Sequence, residues 1–437
     1  MTETLLSVRN LEKHYPISEG ILARESGRVR AVDGVSFDVA RGETLGLIGE
    51  SGSGKSTVAS SMVRLETPTG GEVFFDGERV ADHDDDARRD FRRRVGVVFQ
   101  NPDSSLDPRM TVGDSIAEPL AIHNLGREEQ RRELVEALLE RVGLSASDAD
   151  RYPHSLSGGQ KQRAAIARAL VVNPDLLVAD EPVSALDASV QADILALLDD
   201  LKRDFDLGVL FISHDMAVVR EVCDRVAVMY LGEIVERGPT QAVLADPQHP
   251  YTRALAAAIP RPDPTAEFTQ VDLSGEVPDA ANPPAGCRFH TRCPEIIQPD
   301  GYDFEQGNWR AVMDLRVALA DGFDHDALEA YAATEGSGEN GDSPDLHAAV
   351  RDRYEIPAEL TDSDAESVLA DAIESLVEGD ATVARETLSR EFETICERER
   401  TGLGETDGTT AGHSAACHLH DAADAATERA VESQETD

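Results

Sequence analysis

The nine residues Gly49-Glu50-Ser51-Gly52-Ser53-Gly54-Lys55-Ser56-Thr57 restrict what this chain can fold into more than any other stretch. They follow the apolar run Leu45-Gly46-Leu47-Ile48, which reads as a short buried strand. They lead into Val58-Ala59-Ser60-Ser61-Met62-Val63, which reads as a helix. A GxxxxGKS/T pattern set between a strand and a helix is a phosphate-binding loop. Gly49, Gly52 and Gly54 let the backbone curl so that successive N–H groups face inward, at a helix start whose dipole favours an anion. Lys55 can reach the β- and γ-phosphates of a nucleotide, and the Ser56 hydroxyl can ligate Mg2+. A bare glycine-rich turn is the bland alternative, and the flanking elements weigh against it.

At 437 residues the chain has room for two or three domains. Its 84 acidic residues against 41 basic ones leave a formal net charge of −43, and only 5% of residues are aromatic. Lysine is confined to Lys13, Lys55, Lys161 and Lys202; every other base is arginine. Acid excess, scarce lysine and few aromatics resemble halophilic proteins, whose salt-filled cytoplasm screens the self-repulsion. Part of the charge is local, because residues 263–437 hold 41 acids and 11 arginines. No basic patch stands out, which argues against nucleic acid as a partner. Met1-Thr2-Glu3-Thr4 does not read as a signal peptide, and no apolar run approaches the ~20 residues that span a bilayer. The expectation is a cytoplasmic protein, unless a partner holds it at a membrane. Five cysteines in that compartment point to reduced thiols or metal ligands rather than disulfides.

Leu6 to Leu11 alternates like an edge strand, and residues 31–48 hold two more strands around the turn Arg41-Gly42-Glu43. Gly71 to Gly77 and Val95 to Phe99 read as strands, the second ending at Gln100. Residues 112–122 and 127–143 then show helical spacing, with Leu134, Leu138 and Val142 on one face. A second α/β run follows: a helix from Gln160, the strand Leu176 to Ala179, the helix 188–205 and the strand Gly208 to Ile212. Strands alternating with helices imply a parallel sheet covered on both faces. Beyond Pro247 the alternation stops. Pro260 to Pro264 and Pro278 to Pro284 are connectors, Gly336 to Gly341 is a flexible break, and residues 308–333, 344–353 and 362–395 look helical and acidic.

The strand Leu176 to Ala179 ends in Asp180-Glu181. Asp180 at a strand tip suits support of Mg2+ through water, and Glu181 beside it can act as general base on the attacking water. His214 ends the next strand and should emerge at the same sheet edge, near the γ-phosphate. Gln100 also ends a buried strand and can reach the metal or the water. Acidic turn residues, a structural histidine and a surface glutamine are the plain alternatives. Leu156-Ser157-Gly158-Gly159-Gln160 opens a helix and is a second anion-binding start. The helical stretch before it should hold it away from the chain's own nucleotide. Two half-sites per chain make sense if two chains pair head to tail.

At this point the sequence resembles the ABC transporter ATPases. The motifs lie in the family's order over residues 5–260: the loop 49–57, Gln100, the signature 156–160, Asp180-Glu181, Ser184-Ala185-Leu186-Asp187 and His214. The resemblance implies an α/β P-loop NTPase fold with a RecA-like core and an antiparallel β part. Residues 1–260 would form the ATPase domain, with a helical subdomain at about 101–158. Residues 261–437 would form a largely helical, acidic extension. It also implies ATP and Mg2+ as cofactors, with Gly49, Ser51, Gly52, Gly54, Lys55, Ser56 and Thr57 on the phosphates. Asp180, with Ser56 and Gln100, would hold the metal; Glu181 and His214, with Gln100, would act on the water. Ser157, Gly158, Gly159 and Gln160 would serve the partner's site, Asp187 would cross the interface, and Tyr15 would stack on adenine.

Finer features resemble the ATPases of oligopeptide, dipeptide and nickel importers: Ala31 to Phe37, Asn101 to Arg109, and His249-Pro250-Tyr251-Thr252-Arg253-Ala254-Leu255. That branch implies a second, related ATPase as heterodimer partner, two transmembrane permease subunits, and an extracellular solute-binding protein. It places the chain peripherally at the cytoplasmic face of the membrane, coupling ATP-driven closure to uptake of di- or oligopeptides. Nickel or oligosaccharide cargo, a non-transport ABC ATPase and a metal-sensing regulator are the alternatives.

Asn282 to Pro294 resembles the same importers' C-terminal extension, where some members hold an iron–sulfur cluster on four cysteines. Here Cys287 and Cys293 are followed by no cysteine until Cys396 and Cys417. The resemblance implies an insertion at about 295–393, after which the four rejoin around a 4Fe-4S cluster. Zn2+, with His413 or His418, and uncoordinated thiols are the alternatives. Cys223 reads as a packed core residue.

Overall fold

A computed structural model of the chain describes residues 3–19, 24–259, 273, 275–335, 345–405 and 410–420. The connector Pro260 to Pro264, with the boundary at 260/261, and the break at Gly336 to Gly341 lie outside the described residues. The chain divides into two compact units, each described by itself: Met1–Gln248 with Ala258–Glu267 and Gly408–Ala415, and His249–Ala257 with Phe268–Asp407 and Ala416–Asp437.

The first unit holds the strands β1 (Thr4–Glu19), β2 (Arg24–Ala40), β3 (Thr44–Ile48), β4 (Gly70–Phe75), β5 (Glu78–Arg79), β6 (Val95–Val98), β7 (Leu176–Asp180), β8 (Gly208–Ser213), β9 (Arg225–Tyr230) and β10 (Glu233–Pro239). Its helices are α1 (Lys55–Met62), α2 (Asp85–Arg94), α3 (Val112–Ile122), α4 (Glu128–Arg141), α5 (Gly158–Leu170), α6 (Ala188–Phe205), α7 (Met216–Val222) and α8 (Thr240–Ala245). An antiparallel sheet runs β2-β1-β4-β5. Expected at an edge, β1 is instead interior, because Leu6 pairs with Val39 on one side and with Phe75 on the other.

The main sheet of this unit runs β12-β10-β9-β3-β8-β7-β6, where β12 is the short strand Ser414–Ala415, antiparallel to β10. Strands β9, β3, β8, β7 and β6 are parallel, and β10 is antiparallel to β9. The apolar runs at β3 and β8 are buried at every position, as strands covered on both faces should be. Between β6 and β7, α3 and α4 form the helical part that the spacing predicts. Its buried face differs by one position: Val135, Leu138, Leu139 and Val142 are buried, while Leu134 is 45% exposed. Cys223 is buried against Gly46, where an added Cβ would come within 2.9 Å of its sulfur.

The second unit holds α9 (Pro250–Ala257), α10 (Gln306–Gly322), α11 (His325–Glu335), α12 (Leu346–Arg353), α13 (Ser363–Val377), α14 (Ala381–Glu391), α15 (Ile395–Arg398) and the short strand β11 (Gly404–Glu405). The stretches 308–333 and 362–395 are helical, each divided into two main helices. Gly322 at φ 106° and Gly379 at φ 90° take left-handed turns that a helix interior excludes. Its core is aromatic: Phe392 lies edge-on to Tyr302, Phe304 and Trp309, with centroids 5.1, 5.3 and 6.1 Å away.

Candidate active site

Parallel pairing decides where the chemistry collects. Ile48 of β3 registers with Ser213 of β8, Asp180 of β7 with Ile212 of β8, and Val98 of β6 with Ala179 of β7. Gly49, Gln100, the Asp180-Glu181 pair and His214 therefore leave the sheet at one edge. In open parallel sheets this carboxyl edge is where ligands bind.

The loop after β3 makes close backbone approaches. Gly54 precedes α1 at φ 103°. A Cβ there would stand 2.0 Å from the Ala31 carbonyl oxygen, and one on Gly49 would stand 2.1 Å from that of Met229. No side chain fits at either position. Lys55 Nζ donates to the carbonyls of Gly49 and Glu50, each at 2.8 Å, and reaches Ser53 Oγ at 3.4 Å. Burial lowers the Lys55 pKa, while Glu181, Asp180 and Glu50 pull it back up. Its present partners are mostly neutral carbonyls, so phosphate oxygens are stronger acceptors for the same ammonium. Ser51, Gly52 and Ser56 are exposed at this loop, and Thr57 is half-buried.

Ser56 Oγ donates to Asp180 Oδ1 at 3.2 Å. Burial raises the Asp180 pKa and the Ser56 bond opposes it, with Glu181 raising it further. A hydroxyl and a carboxylate are both hard oxygen donors and fit Mg2+.

Glu181 has φ 46°, in the left-handed region that a residue with a side chain enters at a cost. Its N–H donates to the Ile212 carbonyl at 2.9 Å. Gln100 Nε2 donates to Glu181 Oε2 at 2.9 Å, and His214 Nδ1 lies 3.0 Å from Oε1. A carboxylate accepts, so in this contact His214 Nδ1 carries the proton. The Glu181 side chain is 13% exposed and that of His214 53%, which puts the carboxylate inside and the histidine at the lip.

Tyr15 lies on β1. Its hydroxyl donates to Glu66 Oε2 at 2.5 Å, and Lys13 Nζ stands 4.9 Å from its ring centroid. Burial, then the Glu66 bond, raises the Tyr15 pKa, while a bond with Thr57 lowers it. Lys13 and Glu66 were not foreseen as neighbours of this ring, and no local pattern marks Glu66, 51 positions along the chain.

The signature opens α5. Ser157 Oγ accepts from Gln160 N at 3.3 Å, and Ser157 N donates to Gln160 Oε1 at 3.0 Å, a reciprocal cap. Ser157 and Gly158 are exposed. Gly159 meets α6, because an added Cβ would stand 2.5 Å from Val190 Cγ1. Asp187 caps α6, accepting from Val190 N at 3.2 Å and Ser189 Oγ at 2.8 Å. The Val190 bond is the main cause of its lowered pKa. Beyond Gln100, a groove of about 310 Å3 runs between the main sheet and α3, lined among others by Leu65, Phe99, Pro119, His123 and Arg168.

In the second unit the backbone N–H of Cys287 donates to the Cys396 carbonyl at 2.8 Å. The Cys293 thiol, pushed up by burial, also feels Cys287, Cys417 and Cys396, so all four meet in one region. Burial pushes the Cys417 thiol up to about 11. Among the described residues, no group of three or more His, Cys, Asp or Glu side chains is poised to hold a metal ion. The imidazoles weighed as zinc ligands are engaged: His413 Nε2 lies 2.7 Å from Glu236 Oε1, and His418 Nε2 lies 2.9 Å from the Glu399 carbonyl.

A phosphate loop, a strand-end acid pair and a serine-glycine helix start on one α/β unit define a nucleotide-hydrolysing cassette. Comparison with known proteins gives the branch. The family model described as ABC transporter matches residues 32–184, and the one described as oligopeptide/dipeptide transporter, C-terminal region, matches 235–298. A domain of unknown function matches 306–409. The oligopeptide transport ATP-binding protein AppF of Bacillus subtilis (strain 168) is 49% identical over 295 residues, covering 67% of this chain and 90% of that protein. The dipeptide transport ATP-binding protein DppF of Escherichia coli (strain K12) is 47% identical over 299 residues, covering 68% and 89%. Among solved structures, CbiO1 from Clostridium perfringens, part of the ABC transporter complex CbiONQ, aligns at 30% identity and TM-score 0.49, covering 56% of this chain and 92% of that one. The chain belongs to the ABC transporter ATP-binding proteins, in the oligopeptide/dipeptide branch. Among the described residues no helix is long and apolar enough to cross a membrane.

Proposed function

We propose that this chain is the ATP-hydrolysing subunit of a peptide importer, with residues 1–260 as the ATPase domain and 261–437 as an importer-type extension. The observation that carries this reading is the meeting of Gln100 and His214 on Glu181, beside Lys55 and Asp180, at one sheet edge. Lys55, Ser56 and Thr57, with the backbone of Gly49, Ser51, Gly52 and Gly54, bind the phosphates, and Tyr15 stacks on adenine. Ser56, Asp180 and Gln100 would hold Mg2+, which when bound neutralises charge on the β- and γ-phosphate oxygens. Glu181 takes the proton of the water that attacks the γ-phosphorus as the bond to the ADP oxygen breaks. His214 keeps that carboxylate oriented and is exposed enough to meet the γ-phosphate.

Ser157, Gly158, Gly159, Gln160 and Asp187 serve the ATP of a second, related cassette, and the exposure of Ser157, Gly158 and Asp187 supports that role. The cassette pair sits peripherally on the cytoplasmic face, beneath two permease subunits supplied by an extracellular solute-binding protein. The groove beyond Gln100 receives the permease, supported by exposed Leu65 and Ile122 near it. Peptide cargo is supported by what AppF and DppF are named for. For the thiols, a 4Fe-4S cluster held by Cys287, Cys293, Cys396 and Cys417 is the finer reading and Zn2+ the alternative. Its support is that the Cys293 thiol feels the other three, with Cys293 and Cys396 buried. The acid excess is an adaptation to high salt.

The test is phosphate release by the assembled subunits in vesicles, with binding protein and peptide added. Peptide should raise the rate and accumulate inside; a rate indifferent to permeases and peptide contradicts the importer reading.

A further inference from the structure

The segment that separates the second cysteine from the third is long, yet the chain returns to where it left. Cys287 and Cys396 are joined backbone to backbone, as described, and Gly286 shows how tightly. At φ 62°, its added Cβ would stand 2.4 Å from the Cys396 carbonyl oxygen and 2.7 Å from that of Glu397. Thr394 Oγ1 donates to the Ile297 carbonyl at 2.6 Å, so exit and entry of the segment are tied. Closing a loop of this length costs chain entropy that specific contacts must offset.

Those contacts come from α10, the first helix of the segment. Near its start, Arg310 donates to three carbonyls of the first cysteine loop: Thr291 at 3.0 Å, Cys293 at 3.2 Å and His290 at 3.4 Å. Asp314, one turn on, holds the same guanidinium at 2.6 Å. Trp309 Nε1 and Gln306 Nε2 add bonds to the carbonyls of Ile297 and Ile296. Six residues later, about 9 Å along the helix, Arg316 serves the other cysteine segment. It donates to the Phe392 carbonyl at 2.7 Å and makes a two-pronged pair with Glu397, at 2.9 and 3.1 Å. The Arg316 side chain is 6% exposed, and Glu397 is the neighbour of Cys396. Glu397 in turn accepts from Thr394 N at 3.0 Å, which closes the short α15 that carries Cys396.

We propose that the inserted helical domain is the clamp that assembles the four-cysteine region, with Arg310 and Arg316 as its positioning residues. Arg310 sets the Cys287–Cys293 loop, and Arg316, acting through Glu397, sets the Cys396 segment against it. The fork geometry is specific: a lysine in place of Arg316 cannot serve both Glu397 oxygens and the Phe392 carbonyl. The insertion therefore supplies the connection that direct sequence proximity lacks. This inference rests on the four-thiol reading for the identity of a ligand, and on the contacts above for the geometry.

The experiment is timed alkylation of the full-length protein with N-ethylmaleimide, before and after chelator treatment, with each cysteine followed by peptide mass mapping. Arg310→Gln should speed labelling of Cys287 and Cys293 by about tenfold or more, and Arg316→Gln should do so for Cys396, as local opening exposes them. Arg316→Lys should behave like Arg316→Gln. Cys223, buried in the other unit, is the internal control and should stay slow in every variant. Unchanged labelling of the four thiols, or a rise that includes Cys223, overturns the clamp. Iron and zinc content of the wild-type protein, measured alongside, judges the ligand separately: a metal-free preparation ends the cluster reading and leaves the labelling pattern to decide the clamp.

Discussion

His214 Nδ1 lies 3.0 Å from Glu181 Oε1, and it does so because β7 and β8 are adjacent parallel strands that end together. Glu181 N is bonded to the Ile212 carbonyl, so the turn that carries this carboxylate is anchored to the strand that carries the histidine. With Gln100 on the second oxygen, the carboxylate is held from both sides.

As the proposed base, Glu181 has a direct consequence. Glu181→Gln should lower phosphate release by roughly 10²–10⁴-fold while ATP stays bound, because proton acceptance is lost and the loop of Lys55 is untouched. His214→Ala should lower release as well, by less, since Gln100 still orients the carboxylate. Phosphate release and retained nucleotide, measured on the same sample, check both. Undiminished hydrolysis in Glu181→Gln would remove it as the base.

The close approach of Gly54 to the Ala31 carbonyl predicts a backbone effect without any change in charge. Gly54→Ala demands room 2.0 Å from that oxygen, at φ 103°. The variant should lose ATP binding and melt earlier, as seen by nucleotide titration and calorimetry, whereas Gly52→Ala, strained by its φ of 83° but clashing with no atom, should be milder.

Asp180 supplies a pH prediction. Burial raises its pKa, so the native state holds this proton more tightly than the unfolded chain does. The associated stability is fully present below the ordinary carboxylate value of about 3.9 and is lost as pH rises through the folded-state value. At pH 7 the charged carboxylate therefore costs stability in the nucleotide-free protein. Asp180→Asn should melt higher there, on the order of 1–2 °C, with the gap closing below pH ~4. Affinity for Mg-ATP should fall in the same variant. A lower melting temperature at pH 7 contradicts this assignment of cause.

A net charge of −43 makes the fold sensitive to screening. Moving from dilute buffer to molar KCl should raise the melting temperature by several degrees, because the Debye length shrinks to about 3 Å at 1 M. Insensitivity to salt would count against salt adaptation.

The phosphate loop, Asp180, Glu181 and His214 were legible because each sits where an apolar strand stops, and strand ends are visible in one dimension. The pairing of strands was not: β1 reads as an edge from its alternation, but its second partner β4 arrives some sixty positions later. A one-residue shift of the α4 face, from Leu134 to Val135, lies within the drift that helical spacing alone allows. Glycines at 322 and 379 divide stretches that read as helical throughout. Arg310 and Arg316 were invisible for a different reason. Their partners are mostly backbone carbonyls, which every residue carries, and nothing in a sequence marks one carbonyl as the acceptor.

Equilibrium ATP binding to the isolated chain tests the account most directly, because it separates the loop that cradles the chain's own nucleotide from the signature that serves another. Ser157→Arg should leave monomer affinity within about twofold of wild type while dimer hydrolysis falls by ~10²-fold or more, and Lys55→Ala should lose affinity outright. If Ser157→Arg weakens monomer binding as much as Lys55→Ala does, both elements hold one ATP within a single chain and the two-cassette mechanism is wrong.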